Sequence, residues 1–395
     1  MPAVSNVLVI GAGAAGTAAA ILLAEGGVNV EVAEINPEVS ALGSGITLQG
    51  NALRILDKLG VWDECAAQGY GFDSLGLRAP DPNGTLIVEM PDVKTGLPTQ
   101  PATMGMFRPE LARILVKRAE SLGVKFRFGS TINELRQDDE GVDVHFADGE
   151  TARYDVVIGA DGIRSWTRRQ IGVPLETKSV GMGIWRVFAP RPESVTRTDL
   201  YYGGPQYIAG YCPTGEDSLY AYIVEAAQDR STLSKQEWLD IMIEESQAYH
   251  GPWDDIRPLI TDPDQVNYTW FEFHVLDAPW NRGRVVLVGD AAHVCPPTIA
   301  QGAAMAFEDA TVLADVLLKY DAPTQEMWDE FNERRVPRAK FVAEASLQLA
   351  QWLLDHEQGW GYAQPTWVFT HRDLPRRDGD IRFVADDVAS AHAAM

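Results

Sequence analysis

The chain has 395 residues and carries 56 acidic against 33 basic side chains, a formal net charge of -23 at pH 7. This length predicts two or three domains, and the negative charge argues against nucleic acid or an anionic membrane surface as a partner. No apolar run is as long as a bilayer-spanning helix, and the start lacks the charged region of a signal peptide, so we expect no membrane association and a cytoplasmic location. The three cysteines, Cys65, Cys212 and Cys295, are scattered, which predicts neither a disulfide framework nor a metal site.

The beginning of the chain has the pattern of a βαβ dinucleotide-binding unit. An apolar strand runs into a turn with Gly11, Gly13 and Gly16, a helix follows, and a second strand ends at Glu34. In this pattern the first glycine permits a tight turn, the second lets the backbone approach a pyrophosphate, and the third lets helix and strand pack closely. The helix N-terminus favours phosphate, and Glu34 is placed to accept hydrogen bonds from a ribose. The motif alone does not separate FAD from NAD.

The next segments mix helices with short strands. In chain order the pattern predicts a glycine-rich entry at 41–45 into a strand, a helix at 51–59, a hairpin of 74–79 with 85–90, a loop at 91–101, a helix at 108–122, strands at 125–128, 132–137, 142–146 and 154–159, and a helix at 163–171.

Residues 179–275 alternate between apolar and polar and are rich in aromatic side chains, which is typical of an antiparallel sheet. The predicted strands are 183–189, 198–202, 206–211, 218–225 and 266–274. One helix interrupts them, and a capping box of Ser234 with Glu237 marks its start. This block is the candidate substrate domain.

The chain then returns to a buried strand at 284–290, and two long helices are predicted at 301–320 and 325–355. The tail after 359 shows no pattern. Three turn motifs each follow an apolar strand: the glycine-rich turn, Asp161-Gly162 and Gly289-Asp290. Each is a common turn by itself, but all three at strand ends in this order are hard to assign to chance.

Together these motifs resemble the class A flavoprotein monooxygenases, the aromatic hydroxylases typified by para-hydroxybenzoate hydroxylase. The matching stretches are GAGAAG (11–16), the acidic strand end, FRPEL (107–111), VVIGADGIRSWTR (156–168) and VVLVGDAAHVCPPTIAQGAAMAFEDA (285–310). The resemblance implies an α/β fold: a Rossmann-type FAD-binding domain with an inserted, mostly antiparallel β-sheet substrate domain and C-terminal helices. The implied division is 1–73, 105–178 and 276–320 for FAD, 74–104 and 179–275 for substrate, and 321–395 for the helices and tail.

The resemblance also implies which residues contact the cofactor. FAD would be held by residues at the family's motif positions: Gly11, Gly13, Ala15, Gly16, Glu34, Ile35, Gly45, Arg108, Asp161, Gly162, Arg164, Gly289, Asp290, Pro297, Gly302 and Ala303. The stretch from Asp161 to Arg164 matches the motif associated with both FAD and NAD(P)H. A helix starting after Gln301 would point its positive end at the flavin edge that gains negative charge on reduction.

Two positions depart from the family pattern. The family commonly has Gly-Gln-Gly followed closely by Asn, whereas this chain has Ala300-Gln301-Gly302-Ala303-Ala304, which weakens any side-chain contact near the flavin ring. The usual arginine after the acidic strand end is replaced by Ile35, which predicts a less polar adenosine pocket.

The activity implied by the resemblance is hydroxylation of a small electron-rich aromatic (a hydroxybenzoate, phenol or hydroxypyridine) with NAD(P)H and O₂ through a C4a-hydroperoxyflavin. The catalytic candidates are Arg186, Tyr211, Tyr222, His274 and Pro297. The arginine would pair with a substrate carboxylate or phenolate, a tyrosine would position or deprotonate a phenol, the histidine would act as a base, and the proline would line the flavin face. The structural alternatives are an outward salt bridge for the arginine, core packing for the tyrosines and a satisfied ring for the histidine.

Other functions remain open from the residues. The same fold carries reductases and halogenases, although the halogenase pattern Trp-x-Trp-x-Ile-Pro is absent from this chain. A flavoprotein that binds an aromatic ligand without turnover is a further alternative, and a plain NAD dehydrogenase would leave the segment around Gly289-Asp290 unexplained. The protein is expected to be a monomer or a homodimer.

Overall fold

The computed structural model describes residues 2–39 and 45–355. The helices in this part of the chain are α1 (Ala14–Glu25), α2 (Gly50–Lys58), α3 (Trp62–Gln68), α4 (Arg108–Ser121), α5 (Trp166–Gln170), α6 (Lys235–Ser246), α7 (Pro252–Ile256), α8 (Gly302–Lys319) and α9 (Gln325–Leu354).

The strands in the same part are β1 (Asn6–Ile10), β2 (Asn29–Glu34), β3 (Gly45–Gln49), β4 (Tyr70–Phe72), β5 (Ser74–Arg78), β6 (Leu86–Pro91), β7 (Thr103–Phe107), β8 (Lys125–Phe128), β9 (Ile132–Gln137), β10 (Val142–Phe146), β11 (Thr151–Tyr154), β12 (Val156–Gly159), β13 (Lys178–Pro190), β14 (Thr198–Tyr202), β15 (Ile208–Gly215), β16 (Ser218–Ala226), β17 (Val266–Val275), β18 (Asn281–Arg282), β19 (Val285–Leu287) and β20 (His293–Val294).

A six-stranded sheet forms the centre of the nucleotide-binding part. Its order is β18-β19-β12-β1-β2-β8, and the pairs are parallel except β18 with β19. Strands β12 and β19 have no polar side chain, and β1 is apolar after its first residue, because both faces of the sheet are covered. Val7 and Val9 pack in the core that includes α1 and α8, whereas Leu8 and Ile10 face the small sheet β11-β10-β9. Because parallel strands end on the same side, β1, β2, β12 and β19 present their following turns along one edge.

An eight-stranded sheet forms the second layer. Its order is β20-β17-β13-β16-β15-β14-β5-β6, and the pairs are antiparallel except β14 with β5. One face carries Trp185 and packs on α6 and α7, and the other face carries Ile184 and packs on the end of α9. Successive residues of a strand point to opposite faces, so a shift of one residue decides to which core a side chain belongs.

The small sheet β3-β7-β4 connects the two layers. A Cβ at Gly105 in β7 would overlap the Pro213 carbonyl oxygen of β15, so this close approach requires glycine. The ring centroids of Phe107, the last residue of β7, and Phe188 of β13 lie 4.2 Å apart. This packing places the first residue of α4, Arg108, beside the eight-stranded sheet.

The α/β class with an antiparallel sheet alongside a parallel one is confirmed, but several elements differ from the prediction. The helix expected at 163–171 covers only Trp166–Gln170, since Gly162 has a φ of +76° and the Ser165 side chain caps the helix by accepting the Arg168 N–H. Two helices and five strands of the described part were not predicted: α3, α7, β4, β7, β11, β18 and β20. Part of the glycine-rich entry, residues 41–44, and the tail lie outside the described residues.

No described helix combines the length and the apolar character needed to cross a membrane.

Candidate active site

The glycine-rich turn after β1 fulfils three different requirements. Gly11 has a φ of +104°, and a Cβ there would lie 2.5 Å from the Ala160 carbonyl oxygen. A Cβ at Gly16 would overlap the Gly11 carbonyl oxygen, so the first turn of α1 packs on the strand only with glycine there. Gly13 is exposed, has an ordinary φ of -72°, and nothing lies within 4 Å of a Cβ built on it. Two glycines therefore shape the turn, and Gly13 leaves open space in front of the N-terminus of α1.

Glu34 ends β2 beside this turn. One carboxylate oxygen accepts the Ala12 N–H at 2.8 Å, and the other accepts the backbone N–H of Asn36 at 2.9 Å and its side-chain amide at 2.7 Å. The carboxylate thus braces the phosphate-binding turn, a role that the sequence pattern does not predict. Ile35 is 69% exposed at the same edge and offers an apolar surface.

The turn Gly289–Ala291 follows β19 at the same edge and is held at both ends. The Gly289 N–H donates to Asp309 at 2.8 Å, and Arg168, which is 4% exposed, donates to the Ala291 carbonyl at 2.8 Å. Gly289 has a φ of +58°, and a Cβ there would lie 2.9 Å from the Cβ of Ala15. The turn is therefore in contact with the start of α1.

His274 holds the middle of this turn, and the structure contradicts its predicted role as a base. Its Nε2 contacts the Asp290 carbonyl at 3.0 Å, so this nitrogen carries the proton, and Nδ1 accepts from Thr177 Oγ1 at 2.8 Å. The ring is 2% exposed, and burial, followed by the charge of Arg168, lowers its pKa to about 4. A neutral imidazole with both nitrogens occupied orients the turn and leaves the Asp290 side chain exposed at the edge of the sheet.

We expect His274 to reduce folding stability in acid. The pKa of His274 in the folded protein is about 4, below the ordinary value of 6.5. The free energy of unfolding is therefore at its full value above pH 6.5 and decreases as the pH falls, by about 2 kcal/mol at pH 5. His274→Gln retains a donor for the Asp290 carbonyl and cannot be protonated. Thermal unfolding of both proteins at about pH 7.5 and about pH 5 should show the variant losing less stability than the wild type. An equal loss in the two proteins would contradict this account of His274.

Asp161 is occupied within its own segment. Its carboxylate accepts the Ser165 hydroxyl at 2.5 Å and the Thr167 N–H at 2.8 Å. These bonds hold the turn around Gly162, where nothing lies within 4 Å of a Cβ. The Asp161 carboxylate thus shapes the turn, and cofactor binding by the Asp161-Gly162 segment stays a prediction. Arg164 has an 81% exposed side chain with a 3.5 Å ion pair to Glu272.

The start of α8 departs from the family pattern at Ala300. Ala300 occupies the place of the usual glycine, and it has a φ of +54°, in the region that favours glycine. The buried Gln301 side chain accepts from Asn51 Nδ2 at 2.9 Å and donates to Gln49, so it points into the protein. Nothing lies within 4 Å of a Cβ at Gly302, and the adjoining N–H groups of a first helical turn have no intrahelical partner.

Pro297 begins the short 3-10 turn that precedes this helix. Its side chain is exposed, whereas the neighbouring Pro296 is buried. The predicted flavin-lining position is thus on the surface of the segment between the Gly289–Ala291 turn and α8.

Arg186 lies on the face of the eight-stranded sheet that also carries Tyr220 and Tyr222. Its Nη1 donates to Thr269 Oγ1 at 2.7 Å, and Arg108 is within electrostatic range of both Arg186 and Asp290. Burial, with a smaller contribution from Arg108, lowers the pKa of Arg186 to about 10, so the guanidinium remains a cation at neutral pH. The Arg186 cation therefore lies near the two tyrosines, and Arg108 is the cation within range of both Arg186 and Asp290.

The two tyrosines stack with ring centroids 5.4 Å apart. The Tyr220 hydroxyl is 2.9 Å from Thr47 Oγ1, and a Cβ at Gly45 would overlap the Tyr220 ring, which explains the glycine at that position. Burial raises the pKa of Tyr220 and of Tyr222, so both hydroxyls stay protonated. Tyr220 is missing from the predicted candidates, although its two-residue spacing from Tyr222 in one strand signals a shared face.

Tyr211 lies on the opposite face, which contradicts its prediction as a catalytic residue. It is 1% exposed in the core under α6 and α7, and its hydroxyl donates to Asp199 at 2.8 Å. In the sheet, its neighbour Gly210 is the residue opposite Tyr222. Tyr211 is therefore a core residue.

The donor set at the sheet edge fits FAD. The open space at Gly13 faces the N-terminus of α1, where a pyrophosphate is favoured, and Glu34 with Ile35 lies where a ribose and adenine would follow. Asp290 offers a carboxylate to a ribityl chain, and the N-terminus of α8 offers N–H groups to an electron-rich ring edge.

Comparisons with known proteins agree with this geometry. Residues 4–346 match the family described as FAD binding domain. The chain is 30% identical over 374 residues to a 6-hydroxynicotinate 3-monooxygenase of Pseudomonas fluorescens, covering 92% of this chain and 94% of the relative. It is 30% identical over 356 residues to a 3-amino-4-hydroxybenzoate 2-monooxygenase of Streptomyces cremeus, covering 88% and 87%.

Among solved structures, Klebsiella pneumoniae HpxO complexed with FAD and uric acid superposes with a TM-score of 0.79 at 22% identity, covering 89% of each chain, and this shows the shared fold. The chain therefore belongs to the FAD binding domain family, among the FAD-dependent aromatic monooxygenases.

Proposed function

We propose that this monooxygenase hydroxylates a small anionic aromatic ring, such as a hydroxypyridine or hydroxybenzoate carboxylate, with NAD(P)H as the electron donor. The observation that carries the proposal is Arg186, a cation on the apolar, tyrosine-lined face of the sheet beside Arg108. An anionic substituent there gains a charge-assisted hydrogen bond, the stronger kind in a poorly hydrated site. The names of two relatives, a 6-hydroxynicotinate and an aminohydroxybenzoate monooxygenase, are consistent with such a ring.

Arg186 and the two tyrosines have different roles in the proposed reaction. Bound FAD, once reduced by the nicotinamide donor, would activate O₂ for insertion into the ring. Arg186 orients the ring by its anionic group. Because Tyr220 and Tyr222 keep their protons, their hydroxyls donate to a phenolate or pyridinolate oxygen and stabilise the electron-rich form, instead of removing a proton themselves. The packed aromatic face excludes water, which favours transfer of oxygen to the ring over release of H₂O₂.

A second candidate is a larger ring with an alkyl tail. Its support is the apolar cluster beside Tyr222, where Ile184 and Val224 of the sheet meet Leu353 and Leu354 of α9. A hydrocarbon chain placed there would be buried on the same face as the ring. This substrate would gain less from Arg186 and more from the apolar cluster.

One turnover assay distinguishes these candidates. The purified flavoprotein is mixed with NADH or NADPH and with 6-hydroxynicotinate, a hydroxybenzoate, a neutral phenol or an alkylated 4-quinolone, with and without catalase. We expect anionic rings to accelerate NAD(P)H oxidation with little H₂O₂. Preference for the alkylated quinolone would support the second candidate. Oxidation that no ring accelerates would contradict both and favour a reductase, a halogenase or a binding protein of the same fold.

Three further proposals concern the domain division, the location and the oligomeric state. The pairing of β5 with β14 supports grouping 74–104 with 179–275 as the substrate domain, between the FAD-binding segments 1–73, 105–178 and 276–320. The three scattered cysteines support a cytoplasmic protein. The net charge of -23 supports a protein that binds neither nucleic acid nor an anionic membrane. A monomer or a homodimer is the proposed state, and size-exclusion chromatography with light scattering tests it.

A further inference from the structure

A buried cluster of charges connects α8 and α9 behind the Gly289–Ala291 turn. Arg335 of α9 is 2% exposed, and its Nε donates to Asp309 at 2.7 Å while its Nη1 donates to Glu308 at 2.9 Å. Both carboxylates are fully buried. Although burial opposes their charge, the neighbouring cations hold the pKa of Asp309 and of Glu308 below the ordinary values. The cluster is therefore ionised at neutral pH.

The second oxygen of Asp309 reaches the turn itself. It accepts the Gly289 N–H at 2.8 Å and contacts His293 Nε2 at 2.6 Å. Asp309 thus connects a cation on α9 to the backbone immediately before Asp290.

Glu308 makes the corresponding connection to the start of α8. It accepts from Asn51 Nδ2 at 3.1 Å, and Asn51 also donates to Gln301 at 2.9 Å. Arg338 completes the charge balance by donating to both Glu308 oxygens at 2.6 and 2.9 Å. Adjacent residues of one helix therefore reach the two segments that face the flavin half of the proposed FAD site.

Stability alone does not account for this arrangement. A buried ion pair contributes little net stability compared with a packed apolar pair, because desolvation offsets the attraction. A helix pair could be joined by apolar residues, as α8 and α9 are elsewhere through Phe307 and Phe331. What an apolar pair cannot supply is an acceptor for the Gly289 N–H.

We propose that Asp309, held by Arg335, is a positioning residue for the flavin half of FAD: it fixes the Gly289 backbone and thereby aims the Asp290 carboxylate at the ribityl chain. This inference rests on the proposed placement of FAD along the sheet edge. The adenosine half is held by other groups, the glycine-rich turn and Glu34. Loss of the Asp309 charge should therefore weaken binding of FAD while leaving binding of ADP, which lacks the flavin half, unchanged.

The test uses apoprotein of the full chain and three substitutions. Asp309→Asn removes the charge and one acceptor. Glu330→Gln is the matched control, because Glu330 of α9 pairs with Lys319 of α8 at 2.6 Å on the surface, away from the turn. Glu34→Gln perturbs the adenosine end. FAD affinity is measured by flavin fluorescence, ADP affinity by calorimetry, and folding by the thermal midpoint of the apoprotein.

We expect Asp309→Asn to weaken FAD affinity at least about tenfold and to leave ADP affinity within about twofold of the wild type. Glu330→Gln should change neither affinity, and Glu34→Gln should weaken both. Equal loss of FAD and ADP in Asp309→Asn, or unchanged FAD affinity, would overturn the positioning role. If Asp309→Asn does not fold, Arg335→Lys keeps a positive charge on α9 but cannot hold Asp309 and Glu308 together through one planar fork. It should show the same selective loss of FAD affinity, and equal or absent effects on FAD and ADP would overturn the proposal. If Glu34→Gln bound FAD as tightly as the wild type, the proposed placement of FAD would be disproved instead.

Discussion

Gly13→Val should abolish FAD binding in a protein that still folds. A Cβ at this position meets nothing within 4 Å and the backbone is extended with a φ of -72°, so a valine fits the apoprotein without strain. Its side chain would fill the space that a pyrophosphate needs at the N-terminus of α1. We expect an apoprotein thermal midpoint close to that of the wild type, a colourless purified protein, and FAD affinity at least about 100-fold weaker.

Gly16→Val is the contrasting substitution in the same turn. Its Cβ would overlap the Gly11 carbonyl oxygen and press on the Val9 side chain, so the helix must move away from the strand. We expect this variant to lose thermal stability in the apoprotein as well as FAD. A yellow Gly13→Val protein with wild-type affinity, or a Gly13→Val protein as unstable as Gly16→Val, would contradict the division of roles among these glycines.

Arg186→Met should remove most of the preference for an anionic ring. The partly buried guanidinium is a cation on the tyrosine-lined face, and a charge-assisted hydrogen bond at such a site contributes about 3 kcal/mol, which corresponds to about 100-fold in substrate affinity. FAD affinity should not change. Arg186→Lys keeps the charge but not the planar fork, so we expect an intermediate loss of about tenfold.

The matched control for this series is Lys178→Met, which removes a positive charge from an exposed position of the same strand, β13. Steady-state kinetics of the three variants on an aromatic carboxylate and on its neutral amide provide the comparison. We expect a raised KM for the carboxylate in the Arg186 variants alone. If the KM rises equally for the amide and the carboxylate, Arg186 maintains the structure of the face and does not bind the anion.

Local signals predicted the edge of the parallel sheet well. Glycine spacing, an acidic strand end and Gly289-Asp290 each follow an apolar strand, and parallel strands necessarily place such turns side by side. The capping box at Ser234 is likewise confirmed, because both of its hydrogen bonds form within one helical turn. These features depend on neighbours in the chain or on a topology that the pattern itself implies.

Long-range register decided what the sequence could not predict. Tyr211 and Tyr222 both lie in aromatic strands, but the pairing of Gly210 with Tyr222 puts the two side chains on opposite faces. His274 is reactive as a residue type, yet its partner is a carbonyl in a turn 16 residues away. Arg335 and Asp309 belong to separate helices and have no spacing that marks them as a pair.

In the proposed reaction of this protein, the flavin and an anionic ring lie together on the tyrosine-lined face of the eight-stranded sheet, with Arg186 binding the ring. The most direct measurement is the visible spectrum of the purified yellow protein during titration with 6-hydroxynicotinate, for the wild type and for Arg186→Met. We expect a saturable change in the flavin absorbance of the wild type, and a titration shifted to at least about 100-fold higher concentration in the variant. A colourless protein that takes up no FAD, or a flavin spectrum that no aromatic anion perturbs, would contradict it.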